Sequence, residues 1–159
     1  MKLDLDRQES GRSALPLEGR LDLDWTDDRP AEVLVSGRLQ VDNLENRVLL
    51  TGELSACGQA TCDRCLEEFP LTWPVPVECM VLRDTGSDEG LDDSMVLHQG
   101  SGEVDLAEVI RESVILAFPQ AAVCSEDCRG LCAQCGANLN EQACDCDQGG
   151  HDPRWEGLP

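Results

Sequence analysis

The chain has 159 residues, enough for one domain with its own core and a small appended module. Its 32 acidic residues against 12 basic ones give a net charge of −20, a surface that repels phosphate backbones. With no tyrosine, two phenylalanines and three tryptophans it also offers few rings for bases to stack on. Extensive direct nucleic-acid binding is therefore disfavoured, although scattered arginines leave direct RNA contact open. A basic protein partner suits the charge better, and ribosomal proteins are an abundant class of that kind; the same acidity would also serve solubility alone.

The chain opens Met-Lys-Leu-Asp-Leu-Asp with no apolar leader, and no stretch approaches the roughly 18 apolar residues of a membrane span. The cytoplasm is the expected compartment, where cysteines serve as ligands or redox groups more often than as disulfides. Leu15, Leu17, Leu21, Leu23 and Trp25 then fall at odd positions, a period of two that predicts a strand. Val33, Val35, Gly37, Leu39 and Val41 repeat the pattern, Asp42–Asn46 reads as a polar turn, and the alternation resumes at Val48, Leu50, Gly52, Leu54 and Ala56. That combination predicts an antiparallel hairpin. A further strand runs through Leu71, Trp73, Val75, Val77, Cys79 and Val81, with Pro74 and Pro76 on its other face marking an edge at that end. Residues 84–102 are acidic and glycine-rich and read as a mobile connecting loop. Asp105 as N-cap with Glu108 three residues on predicts a helix start. Leu106, Val109, Ile110, Val114 and Ala117 mark one face of that helix, and Pro119 ends it after Phe118. The expected fold is α+β: a curved antiparallel β-sheet covered by an amphipathic helix over residues 1–118, followed by a cysteine-rich, metal-stapled tail over 119–159.

The tail holds six of the ten cysteines: Cys124, Cys128, Cys132, Cys135, Cys144 and Cys146. It has too few apolar residues for a core, so a metal or disulfides must hold its shape. Zinc is favoured over disulfides or free thiols and over an iron–sulfur cluster, since a structural zinc ion supplies about 10–16 kcal/mol of apparent binding free energy. Cys132-Ala133-Gln134-Cys135-Gly136 places two thiolates within reach of one ion, with a glycine free to take the left-handed turn behind them. Either Cys144 and Cys146 or Cys124 and Cys128 could complete the tetrahedron, and spacing does not choose between them. The remaining pair, Cys62 and Cys65, could join spare tail thiolates in a second zinc site or act as redox thiols; its strand-and-turn context speaks against a thioredoxin-like role. Cys57 and Cys79 read as buried or half-buried strand residues. His151 is a lesser candidate ligand, and His98 has no evident role.

Cys62-Asp63-Arg64-Cys65-Leu66-Glu67 resembles the CxRCLE signature of the YceD family, the large ribosomal RNA subunit accumulation proteins. Val104-Asp105-Leu106 with the helix ending Leu116-Ala117-Phe118-Pro119 is similar to a second segment of that family. Further matching blocks are Cys124-Ser-Glu-Asp-Cys128-Arg-Gly-Leu-Cys132-Ala-Gln-Cys135-Gly136, then Asn138-Leu139-Asn140, then Asp152-Pro153-Arg154-Trp155. They follow the family's order from Gly52 to Trp155, while the first fifty residues match only in strand character.

The resemblance implies a non-enzymatic factor in large-subunit rRNA accumulation or processing and ribosome assembly. It also suggests a basic protein of the large subunit as partner, because family members are often encoded beside a small zinc-ribbon protein of that subunit. The role of the Cys62–Cys65 pair within the family is not assigned. A redox-regulated zinc protein with holdase activity is the alternative. An enzyme is the weakest reading: there is no Ser/His/Asp set, no phosphate-binding glycine loop and no evident small-molecule substrate, and an all-cysteine zinc shell leaves no position for water.

Overall fold

The computed structural model describes residues 1–8, 10–23, 31–83 and 96–146. They are mostly sheet, with one helix and a cysteine-rich C-terminal region. The chain divides into two compact units. One combines Met1–Ala60 with Pro70–Gln120, and the other combines Thr61–Phe69 with Ala121–Pro159. The second unit thus takes a short segment from the middle of the sheet-forming sequence.

In the first unit β1 (Lys2–Asp4) is followed by β2 (Gly11–Asp22), β3 (Glu32–Asn43), β4 (Arg47–Thr61) and β5 (Glu68–Leu82). The alternation read from the sequence is what the backbone shows. Val33, Val35, Leu39 and Val41 of β3 are buried, as are Val48, Leu50, Leu54 and Ala56 of β4. β2 pairs antiparallel with β3 from Gly11↔Asn43 to Asp22↔Glu32, and β3 with β4 from Asn43↔Val48 to Leu34↔Cys57. The hairpin turn is shorter than expected, because β3 runs through Asn43 and the Leu44 N–H bonds back to the Arg47 carbonyl at 2.9 Å.

Three short strands were not legible in the sequence. β6 (Val96–His98) lies inside the stretch read as a loop and pairs with Met80–Leu82 of β5. It runs parallel to β5, so the five-stranded sheet β2-β3-β4-β5-β6 is mixed rather than wholly antiparallel. A parallel neighbour needs a connection of roughly a dozen residues or more, and the chain between Leu82 and Val96 supplies it. β6 reaches only the far end of β5, so among the described residues nothing pairs on that side of Pro74 and Pro76. β7 (Glu103–Asp105) pairs antiparallel with β1 in a second, two-stranded sheet that buries Leu3 and Val104.

The helix α1 spans Ala107–Ala117. Its N-cap is Leu106, not Asp105; the Asp105 carboxylate instead accepts the Ala107 N–H at 2.9 Å and the chain's terminal amine at 3.3 Å. Glu108 engages Arg111 rather than reaching back to a cap. Val109, Ile110 and Val114 belong to the same buried apolar cluster as the inward residues of the sheet, and Trp73 stacks edge-on against Phe118 at 5.2 Å. Phe118 is extended at φ −61° and ψ 131°, the conformation a following proline demands. No described helix is long and apolar enough to cross a membrane. Trp25, His151 and the Asp152–Trp155 block lie outside the described residues, as do residues 84–95 of the expected loop.

Candidate metal centres

Two segments of the second unit fold into the same knuckle. In the first, the Leu66 N–H donates to the Cys62 carbonyl at 2.9 Å, and the Cys62 N–H donates to the Glu67 carbonyl at 2.9 Å. In the second, the Gly136 N–H donates to the Cys132 carbonyl at 2.9 Å, and the Cys132 N–H to the Ala137 carbonyl at 2.8 Å. The residue after the second cysteine is left-handed in both, at φ 61° for Leu66 and φ 72° for Gly136. Glycine takes that conformation freely, whereas a residue with a Cβ incurs about 1–2 kcal/mol. Each knuckle aims backbone N–H groups at its leading sulfur. Burial opposes ionisation of Cys62, but the N–H groups of Cys124, Cys65 and Arg64 outweigh it and lower the thiol to about 6. The N–H groups of Cys135 and Gln134 bring Cys132 to about 6 in the same way.

The fold sorts the cysteines that spacing left ungrouped. Among the described residues, Cys62, Cys65, Cys124 and Cys128 form one group and Cys132, Cys135, Cys144 and Cys146 another, each with all sulfurs within 4.8 Å of one another. In the first group the Cys62 and Cys128 sulfurs are 3.8 Å apart and those of Cys65 and Cys124 3.7 Å. A tetrahedron with metal–sulfur bonds of about 2.3 Å has edges of about 3.8 Å. A disulfide needs sulfurs about 2.05 Å apart, so these thiols are not bonded to each other. Each cluster is able to hold a metal ion, and the spacing is compatible with zinc. The sulfurs also compete for protons: Cys124 is pushed up to about 12, chiefly by the Cys128 sulfur, and Cys146 to about 12, chiefly by that of Cys135. A cation between them would remove that competition.

Side chains that sequence reasoning did not single out hold the first cluster together. Asp63 clamps Ala122 at two points, its N–H donating to the Ala122 carbonyl at 2.8 Å and its carboxylate accepting the Ala122 N–H at 2.6 Å. The Arg64 guanidinium donates to the Glu126 and Cys128 carbonyls at 3.3 and 3.1 Å, and its own carbonyl accepts the Leu131 N–H at 3.1 Å. Gly130, at φ 70°, passes so close that a Cβ there would stand 3.0 Å from the Arg64 carbonyl. The Asn140 amide donates to the Cys128 sulfur at 3.4 Å, the main reason that thiol is lowered, while its oxygen accepts the Arg129 N–H at 2.7 Å.

The second cluster sits on a tighter local fold, closed by a bridge between Leu131 and Asn138 and a bond from the Leu139 N–H to the Gly130 carbonyl at 2.9 Å. It is the more accessible of the two. Cys132 is buried, Cys144 and Cys146 are half-buried and Cys135 is exposed, whereas three of the first cluster's four cysteines are buried. The remaining cysteines stand apart in the sheet unit. Cys79 is buried, which raises its thiol to about 11, and Cys57 is exposed rather than half-buried, because it faces outward opposite Leu34.

The family described as large ribosomal RNA subunit accumulation protein YceD matches residues 50–159, a span that includes both clusters. An uncharacterised protein of Mycobacterium tuberculosis is 34% identical over 128 residues, covering 76% of this chain and 58% of the relative. The large ribosomal RNA subunit accumulation protein YCED homolog 1, chloroplastic, of Arabidopsis thaliana is 30% identical over 170 residues, covering 91% of this chain and 53% of the relative. Its Zea mays counterpart is 38% identical over 64 residues, 40% of this chain and 22% of the relative. The chain therefore spans at most a little over half the length of these curated relatives. No solved structure matches it significantly.

Proposed function

The chain belongs to the YceD family, and from that membership we propose that it supports large-subunit ribosomal RNA accumulation and ribosome assembly without catalysing a reaction. The observation that carries the reading is the family match over residues 50–159. In this reading the protein works in the cytoplasm, has no small-molecule substrate, and binds a basic protein of the large ribosomal subunit. A net charge of −20 supports such a partner and disfavours prolonged contact with RNA. Handover follows from the same electrostatics, since rRNA presents a denser negative charge than this chain and would draw the basic protein away.

We assign one zinc ion to each cluster, held by Cys62, Cys65, Cys124 and Cys128 in the first and by Cys132, Cys135, Cys144 and Cys146 in the second. Sulfur separations of 3.7 and 3.8 Å in the first cluster support a single tetrahedral ion there. A zinc ion with four thiolates has no position for substrate water, so its contribution is to order the chain. Asp63, Arg64 and Asn140 pre-position the sulfurs, and the knuckle N–H groups favour the thiolate form that a metal needs.

Depleting the protein in its own host and measuring the ratio of large- to small-subunit rRNA tests the reading. A selective fall in large-subunit rRNA is expected, and an unchanged ratio would refute it. Complex formation with the basic partner should weaken as salt rises; a complex indifferent to salt would rule out the electrostatic part.

A further inference from the structure

The two knuckles share a backbone but not a residue at their left-handed position. Gly136 fills it in the second, the choice that relieves strain, while the first has Leu66 at φ 61°. Nothing in the described structure repays that choice. The Leu66 side chain is 63% exposed and takes no part in either apolar cluster. A strained leucine held out in solvent at the tip of a rigid turn points to a contact outside the chain.

The surroundings indicate what kind of contact. Glu67 and Glu68 follow it directly, and Glu126 and Asp127 sit in the segment that completes the same cluster. All four are exposed, and none forms an ion pair among the described residues. Against them stand two arginines, Arg64, whose guanidinium is turned onto the Glu126 and Cys128 carbonyls, and the exposed Arg129, so the surface stays net acidic. With a divalent ion bound by four thiolates, the first cluster would add further net negative charge. A second copy of this chain, an anionic lipid surface and an RNA would each meet like charge here.

We propose that Leu66 is an apolar knob that seats in a basic-rimmed socket of the partner protein, with Glu67, Glu68, Glu126 and Asp127 meeting the rim. The inference rests on the basic-partner reading above and gives it a location. The apolar contact supplies the buried anchor and the four acidic residues supply orientation and encounter rate.

The test uses the full zinc-loaded chain, immobilised and titrated with proteins extracted from purified large ribosomal subunits, with bound species identified by mass. Leu66→Gly and Leu66→Asn both remove the knob, and both fill a left-handed position at low cost. They should keep the wild-type zinc content, melt no lower than wild type, and bind the same ribosomal protein about tenfold or more weakly. Leu66→Met, which keeps apolar volume, should bind nearly as wild type, and Glu67→Gln with Glu68→Gln should flatten the salt dependence. If wild type binds a ribosomal protein and Leu66→Gly binds it equally well, the knob is refuted while the basic-partner reading stands. If wild type binds none of them, that reading falls and the knob falls with it.

Discussion

Arg64 offers the sharpest test of how the first cluster is built. Its guanidinium donates to two main-chain carbonyls of the segment carrying Cys124 and Cys128, at 3.3 and 3.1 Å. A hydrogen bond of this kind contributes about 0.5–1.5 kcal/mol net, and the partial exposure of Arg64 argues for the lower half of that range. Both bonds leave one guanidinium nitrogen, Nη1, and Arg64→Lys keeps the charge but ends one atom short of that position, so both bonds are lost. A total of about 1–2 kcal/mol, at 1.4 kcal/mol per decade, weakens metal binding at this cluster roughly 5- to 30-fold. Cys144→Ser first disables the second cluster, so that competition with a chromophoric chelator reads the first alone. In the complementary background, Cys62→Ser, the same Arg64→Lys change should leave the remaining site unaltered. An unchanged affinity in the first background, or equal weakening in both, would refute the tether and mean that the carbonyl contacts do not position the sulfurs.

The intact chain should bind two zinc equivalents, Cys62→Ser and Cys144→Ser one each and the double variant none, measured by metal analysis after dialysis; loss of both ions from one single variant would mean that the clusters are not independent. Gly52→Ala should destabilise the sheet by about 2–4 kcal/mol in denaturant unfolding, through overpacking and an unfavourable φ. Its added Cβ would stand 3.0 Å from the Arg38 carbonyl at φ 156°, so an unchanged midpoint would show that the strands do not approach so closely. The Asp105 carboxyl is held below its ordinary value, first by the Ala107 N–H and then by the terminal amine. A depressed carboxylate stabilises the fold above its unfolded pKa of about 4, and that contribution is lost as pH falls through the lower folded pKa. Asp105→Asn should therefore trail wild type by a constant amount from neutral pH to about 5, and the gap should close in acid; a gap constant with pH would refute the assignment.

Burial on one face made the long strands legible, because the inward positions of β3 and β4 are apolar except Asn43, while the outward ones are mostly polar, Leu34, Leu49 and Cys57 being the exceptions. The same parity contained the answer for Cys57: Ala56 points inward, so Cys57 must point out. β1, β6 and β7, at three residues each, are too short for any period to show. Asp105 missed its capping role by one position, a shift within the ordinary uncertainty of helix ends. The second cluster was half legible, since its four cysteines are near neighbours and only the competing Cys124–Cys128 pair obscured it. The first cluster could not be derived from spacing, because Cys62 and Cys128 are 66 residues apart and only the fold brings them together. Leu66 showed only as a residue of the Cys62–Glu67 motif; its left-handed turn went unread, since a leucine is the wrong residue from which to expect one.

The difference in sequence separation gives the two clusters different work. The second closes between neighbouring turns of one segment and needs little prior structure. The first ties Cys65 to Cys124, a separation of 59 residues, and loop closure on that scale costs about 1.5–2 kcal/mol more than closing a loop of under ten. A metal ion bound there would have to offset that cost, so the first cluster would serve as a long-range clasp and the second as a local staple. The clasp is also where the chain spends its tethers, with Asp63, Arg64, Gly130 and Asn140 all bonded or packed around it. A knuckle so firmly held can carry Leu66 in a conformation a looser turn would relax, and a rigid base is what an exposed binding knob requires.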